Sequence, residues 1–408
     1  MNSMVAFDGQ QNYRMKLYYI SPRDMRKNRA DPVHIIKECT EFQRYGFDVT
    51  LVTPRVSRKE NVKNKSSIWG LFGIQKQFRI VELFTWYKDE TASWIVRIQK
   101  FILFSLYFMG LLVFKNINKN CLIYSKCYVS VLPALFLKKT GLLKTPIAFE
   151  FATFTRKKWS HGIVAKSSDV LLFFNNYVKK KYIEEFKIDK NKIVQMGFFT
   201  QYNEYTNHIK NLGMTETRKR LGIHSGKKIV MYTGKISPEM KEIQYLLKAA
   251  EIAEEYEFVL VGAKEEFKVY FDDYVKKQNL QNVTFKGFQP LKNIYEYIFC
   301  SDLLVSYYDS YDSLSVNQRS PAKSGIYICS GKPIIFADLP SLREIFTDDM
   351  VFFVPPDEPE LLVDKIREIF SNPEITKGKN INAIRFAIEN TYENSFRKIS
   401  DKILKKIN

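Results

Sequence analysis

The chain has 408 residues, more than one hydrophobic core usually serves, so two domains are expected. A hydrophobic content of 45%, aromatics at 15% and no long low-complexity tract exclude a disordered or fibrous chain. The formal net charge of +19 lies wholly in the first half: residues 1–203 hold 34 Lys and Arg against 15 Asp and Glu, and residues 204–408 hold 29 of each. A one-sided field favours an anionic partner (nucleic acid, phospholipid or a phosphorylated acceptor), unless the lysines merely solubilise the chain.

In chain order, Met1 to Arg14 reads as a polar leader without an apolar signal region. Lys16 to Ile20 is a short strand. His34 to Tyr45 carries Ile35, Ile36, Cys39 and Phe42 at helical spacing, Gly46 ends it, and Asp48 to Val52 is the next strand. This βαβ start predicts a parallel sheet. Phe101 to Phe114 is uncharged but, at fourteen residues, too short to span a bilayer, for which about 20 are needed. It is a buried core helix or an interfacial helix anchored by Trp94, Arg97 and Lys100. Leu122 to Tyr124, Ile147 to Phe149 and Val170 to Phe174 are further strands, separated by helical stretches such as Val129 to Leu137 and Val178 to Phe186. A polar linker follows near Phe199 to Thr217.

The second half restarts the rhythm. Strands are predicted at Lys228 to Tyr232, Glu257 to Val261, Val283 to Lys286, Leu303 to Tyr307, Pro333 to Phe336 and Phe352 to Val354. Helices are predicted at Ile243 to Glu254, Phe267 to Gln278, Ile294 to Phe299 and Pro321 to Ser330, with a last helix over Asn380 to Lys406. The fold class is α/β: two tandem doubly wound, Rossmann-like parallel-sheet domains, with ligands expected at the carboxyl ends of the strands.

The five cysteines, Cys39, Cys121, Cys127, Cys300 and Cys329, form neither C-x-x-C nor a Cys/His cluster. Disulfides and zinc are not expected, and a reducing cytoplasm fits. Ser320 before Pro321 is a cap followed by proline at the first helical position, and a helix start offers free N–H groups to a diphosphate. Gly331 closes that helix. Gly234 permits a close backbone approach at the end of its strand, and Lys235 and Lys241 flank the following loop as point charges for phosphate. By local signals alone the helix-to-strand connection is also an ordinary one, and the two lysines are also ordinary surface residues. Asp309 to Asp312 lacks the spacing of a metal-binding D-x-D.

The order YTGK-x5-KEI, a strand ending in VG, VTFKGF, CSDLLVS and SPAK-x3-Y-x3-GKPIIFADLPSLREI resembles the second domain of GT-B-fold retaining glycosyltransferases of family 4, of the bacterial polysaccharide type. The segments YYISPR, LIYSKCYVSVLPAL and PIAFEFATFT resemble the first domain more diffusely. The resemblance implies an acceptor-side domain over 15–203, a nucleotide-sugar donor domain over 204–380, and a last helix over 381–408 that crosses back. It implies that Lys235 and Lys241 hold the donor diphosphate, that the backbone of Arg319, Ser320 and Pro321 caps it, and that Gly234, Ala322 and Lys323 complete the donor site. Gln318 and Ile326 stand where the family usually has two glutamates, one supporting charge at the transferred sugar and one binding ribose. Gln318 keeps hydrogen bonding without charge, and Ile326 cannot accept a hydrogen bond. Where a histidine often follows the strand ending at Phe149, the chain has Glu150, an acceptor-side base or a strand-end structural acid; His161 lies further on.

The expected function is transfer of a sugar from a nucleotide sugar to a polysaccharide or lipid-linked acceptor, without a metal or other cofactor. The basic first half would meet an anionic membrane face from the cytoplasm, and nucleic acid is not an expected partner because no recognition motif accompanies the charge. The alternative is a catalytically silent subunit that scaffolds or activates a partner transferase.

Overall fold

The computed structural model describes residues 15–23, 25, 30–55, 69, 77–84, 106, 108, 110, 120–154, 159–223, 226–308, 313–318 and 323–407. The chain forms two units, Met1–Met196 with Phe396–Asn408, and Gly197–Ser395.

The first unit runs β1 (Met15–Ile20), α1 (Ala30–Arg44), β2 (Phe47–Arg55), β3 (Arg79–Phe84), β4 (Cys121–Ser125), α2 (Tyr128–Lys139), β5 (Ile147–Phe151), α3 (Trp159–Ser167), β6 (Val170–Phe173), α4 (Asn176–Phe186) and β7 (Ile193–Gln195). Its seven strands are parallel in the order β3-β2-β1-β4-β5-β6-β7. β4, β5 and β6 are buried along their whole length, as continuous apolar runs require when helices cover both faces of a parallel sheet. Gly46, at φ +91°, lets the chain leave α1 and enter β2. Asn175 starts α4 by accepting the Val178 N–H at 3.0 Å. Phe149, Phe151 and Phe173 pack in the core beside the sheet, with Phe151 and Phe173 stacked at 5.0 Å. Each such ring contributes on the order of 2–3 kcal/mol by leaving water.

The second unit runs α5 (Tyr202–Ile209), α6 (Met214–Arg220), β8 (Ile229–Ile236), α7 (Lys241–Ile252), β9 (Glu257–Ala263), α8 (Glu265–Lys277), β10 (Val283–Gly287), α9 (Leu291–Cys300), β11 (Leu303–Ser306), α10 (Ser313–Gln318), α11 (Ser324–Tyr327), β12 (Ile334–Ala337), α12 (Pro340–Arg343), β13 (Phe352–Val354), α13 (Pro359–Ser371) and α14 (Glu374–Glu389). A last helix, α15 (Tyr392–Ile407), follows. The sheet is again parallel, in the order β10-β9-β8-β11-β12-β13. Strand order reverses between β1 and β4 in one unit and between β8 and β11 in the other. At such a switch point two crossovers leave in opposite directions and open a crevice outside the carboxyl ends of the strands.

The expected polar linker is helical instead. Tyr205 is buried in α5 and meets Tyr295 of α9 edge-on at 5.7 Å, so one buried aromatic anchors a helix whose other positions are half-buried or exposed. The expected helix over Asn380 to Lys406 is two helices. The break falls at Asn390 and Thr391, where the Thr200 N–H donates to the Asn390 carbonyl and its hydroxyl to the Ala387 carbonyl. The expected helix from Pro321 is described only as α11, with tight turns continuing to Ser330, and Gly331 at φ +68° ends it. Most of Phe101 to Phe114 lies outside the described residues. Of it, Leu106 is exposed and Phe108 is buried in the core with Val131 and Leu135.

Candidate functional site

β8 follows a regular parallel register with β9 up to Thr233 and then breaks it before Ile236. Gly234, at φ +153°, and Gly262, at φ +122°, face each other across the break. A Cβ at Gly262 would stand 2.0 Å from the Gly234 carbonyl oxygen, so the two backbones come together only because Gly262 has no side chain. The phenol of Tyr327 on α11 accepts the Thr233 N–H at 2.7 Å and fixes the end of β8 from the other side. Burial pushes that phenol's pKa up, and it stays neutral.

Lys323, which precedes α11, brings its ammonium to this break. Its Nζ lies 4.0 Å from the centroid of Tyr232 on β8 and 4.6 Å from that of Tyr308, just past β11. A Cβ at Gly234 would be 3.2 Å from the same Nζ. Both tyrosines are buried, so the ammonium sits against two desolvated π faces at the carboxyl ends of β8 and β11, at the reversal of strand order. The residue is half-buried there.

Lys235 is exposed beyond the break, with Glu239 3.9 Å away. Lys241 is exposed as the first residue of α7. A cation at a helix N-terminus opposes the helix dipole, and an anion bound beside it removes the conflict. Gln318 is half-buried at the end of α10. Ile326 is buried in α11 and lies next to Gly325, where an added Cβ would stand 2.6 Å from the Phe199 carbonyl. Arg319, Ser320, Pro321 and Ala322 lie outside the described residues, as do Asp309 to Asp312. The structure thus brings Gly234 and Lys323 together, and sets Lys235 and Lys241 on either side of the loop that leaves β8. Tyr232, Tyr308 and Tyr327 complete the arrangement. Local motifs name Tyr232 as part of YTGK and Tyr327 as the tyrosine before GKP, and say nothing of Tyr308.

Glu150 belongs to the first unit. Near the end of β5 it is buried; its Oε2 accepts the Tyr124 hydroxyl at 2.5 Å and its Oε1 lies 2.7 Å from Lys126 Nζ. The same Nζ is 2.5 Å from Glu38 Oε1 on α1, and Glu38 Oε2 accepts the Tyr19 hydroxyl at 2.7 Å. Burial pushes the Glu150 carboxyl upward against the pull of Lys126. Burial alone would lower the Lys126 ammonium, but the charges of Glu150 and Glu38 outweigh it and raise its pKa. This chain of five groups spans the reversal between β1 and β4. His161 is buried in α3, stacked on Tyr128 at 3.7 Å, with its Nδ1 2.6 Å from the Tyr182 hydroxyl, and serves the packing of that core.

Residues 213–385 match the family model for glycosyl transferases group 1. A glycosyltransferase from Rickettsia africae superposes with a TM-score of 0.71 at 14% identity, covering 97% of this chain and 98% of that one. A sucrose-phosphate synthase from Thermosynechococcus elongatus gives a TM-score of 0.71 at 12% identity over 97% and 99%. Anabaena Alr3699/HepE, solved with UDP-glucose, gives 0.68 at 13% identity over 96% and 100%. A search of curated protein sequences returned no match. The fold is GT-B. Within the GT-B fold, the matched family segment takes in the whole second sheet, and with it Gly234, Lys235, Lys241 and Lys323.

Proposed function

We propose that the chain is a retaining glycosyltransferase of family 4 type, moving a hexosyl group from a nucleotide-diphosphate donor to a polysaccharide or lipid-linked acceptor. The observation that carries this reading is the Lys323 ammonium, fixed by Tyr232 and Tyr308 against the Gly234 break at the switch point of the second sheet. As the bond from sugar to diphosphate breaks, negative charge grows on the leaving phosphate. Lys235, Lys241 and Lys323 are cations of that unit that would face it, and a preorganised cation stabilises developing charge without reorganising at the moment of reaction. Two neighbours with this fold, Anabaena HepE and the Escherichia coli trehalose-6-phosphate protein, are solved with UDP-glucose and UDP-2-fluoro glucose. The reading requires no cofactor beyond the donor. It places the protein at the cytoplasmic face of an anionic membrane through its basic first half, and Glu150 on the acceptor side. Among the described residues no helix is long and apolar enough to cross a membrane.

The test is donor-dependent release of nucleoside diphosphate across a panel of nucleotide sugars, with membrane extracts as acceptor. Release that needs both donor and extract supports the reading; no turnover with any donor sinks it. A second reading, a silent GT-B subunit that activates a partner transferase, draws on the buried, apolar Ile326. Calorimetry on the unmodified chain and on Ile326→Glu separates the two. Tight nucleotide binding by the unmodified chain counts against silence, and binding gained only with the glutamate counts for it.

A further inference from the structure

Two helices of the first unit carry large apolar side chains on their outer faces. In α2 the inner positions Val131, Ala134 and Leu135 are buried, while Val129 and Phe136, seven apart, are exposed. Leu132 and Pro133 between them are half-buried, so the outer stripe is apolar along its length. A helix at the surface of a water-soluble domain normally carries its charged residues there. In α3, which packs on α2, Val164 and Ala165 face inward, and Trp159 and Ile163, four apart, are exposed. Leu142 is exposed in the turn that follows α2. Trp159 at 73%, Leu142 at 67% and Phe136 at 62% are the most exposed large apolar residues among those described, and all three belong to this one region.

The charge around them identifies the occupant. Among the described residues from 120 to 169, Lys126, Lys138, Lys139, Lys144 and Lys166 stand against two acids, Glu150, which is buried and paired with Lys126, and Asp169, which is paired with Lys138. Lys139, Lys144 and Lys166 are exposed on the same helices and turn. A second copy of the chain would bring like charge against like charge. A polynucleotide would meet the lysines but leave Trp159, Leu142 and Phe136 in water. A bilayer with anionic headgroups satisfies both: the rings and aliphatic groups enter the boundary between headgroups and acyl chains, and the lysines reach lipid phosphates.

We propose that the outer faces of α2 and α3 form a peripheral docking surface for an anionic lipid bilayer, with Phe136, Leu142 and Trp159 as insertion anchors. This deepens the membrane-face part of the function proposed above and is independent of sugar transfer. The test is sedimentation of the full chain with vesicles of phosphatidylglycerol and phosphatidylethanolamine, against vesicles of phosphatidylcholine alone. The triple variant Phe136→Ser/Leu142→Ser/Trp159→Ser changes exposed positions only and should melt like the parent. The control Val269→Ser/Phe288→Ser removes equally exposed apolar residues from the second unit. The expected result is sedimentation with the anionic vesicles, reduced tenfold or more in the triple variant and unchanged in the control. Should the triple variant misfold, Lys139→Glu/Lys144→Glu/Lys166→Glu must give the same loss. Triple-variant binding equal to the parent's overturns the docking surface but leaves membrane association standing. Failure of the parent to sediment overturns both. A parent dimer that the triple variant makes monomeric by light scattering assigns the face to a second copy and also overturns the proposal.

Discussion

Gly262 and Gly234 bring two backbones closer than any Cβ allows, and that approach sets the shape of β8 where Lys323 lies against it. Gly262→Ala therefore cannot be absorbed by a side-chain rotation: the methyl group meets backbone, and φ +122° is itself unfavourable for alanine. A loss of about 3 kcal/mol is expected in urea denaturation, against less than about 1 kcal/mol for an alanine at exposed Gly213, where nothing lies within 4 Å. Lys323→Met separates packing from charge. The thioether still covers the two tyrosine rings, so stability should fall by only about 1 kcal/mol, while nucleoside diphosphate binding should weaken by about tenfold or more. Equal binding by parent and variant would make Lys323 a purely structural cation.

At the scale of elements, the Tyr19–Glu38–Lys126–Glu150–Tyr124 chain ties α1 to the ends of β1, β4 and β5 through one lysine. Lys126→Met leaves two buried carboxylates facing each other and should cost about 3 kcal/mol in chemical denaturation. Adding Glu38→Gln and Glu150→Gln should restore most of it, because the uncompensated charges go with them. A cost unchanged in the triple variant would show that Lys126 acts by packing alone. None of this network can be read from local sequence, since Glu38, Lys126 and Glu150 are 88 and 24 residues apart and meet only through strand order. The strands β4, β5, β6, β9, β11 and β13 were legible, because double-sided burial makes them short apolar runs between turn residues. β3, β7, α6 and α10 were not, because their stabilising partners lie elsewhere in the chain. In the site the backbone signal was legible at YTGK, where a glycine precedes a lysine at a strand end. The contribution of Tyr308 was hidden, since nothing local links it to Lys323.

At the scale of the molecule, both units place a lysine at the reversal of strand order, but in opposite electrostatic settings. Lys126 lies between two carboxylates, whereas Lys323 lies over the rings of Tyr232 and Tyr308. The second unit, Gly197–Ser395, holds 24 Lys and Arg against 28 Asp and Glu, so its affinity for a diphosphate must come from local geometry rather than from a general basic field. Raising salt from 50 to 500 mM should accordingly weaken binding to anionic vesicles far more than binding of nucleotide, which is checked by running both titrations in the same buffers. Calorimetric titration of the full chain with UDP and GDP decides whether the second unit holds a nucleoside diphosphate on Gly234, Lys235, Lys241 and Lys323. Saturable binding of at least one of them is expected, weakened by about tenfold or more in both Lys241→Ala and Lys323→Met while the thermal melts stay within a few degrees of the parent. No binding by the parent, or equal affinity in all three proteins, would contradict this binding site.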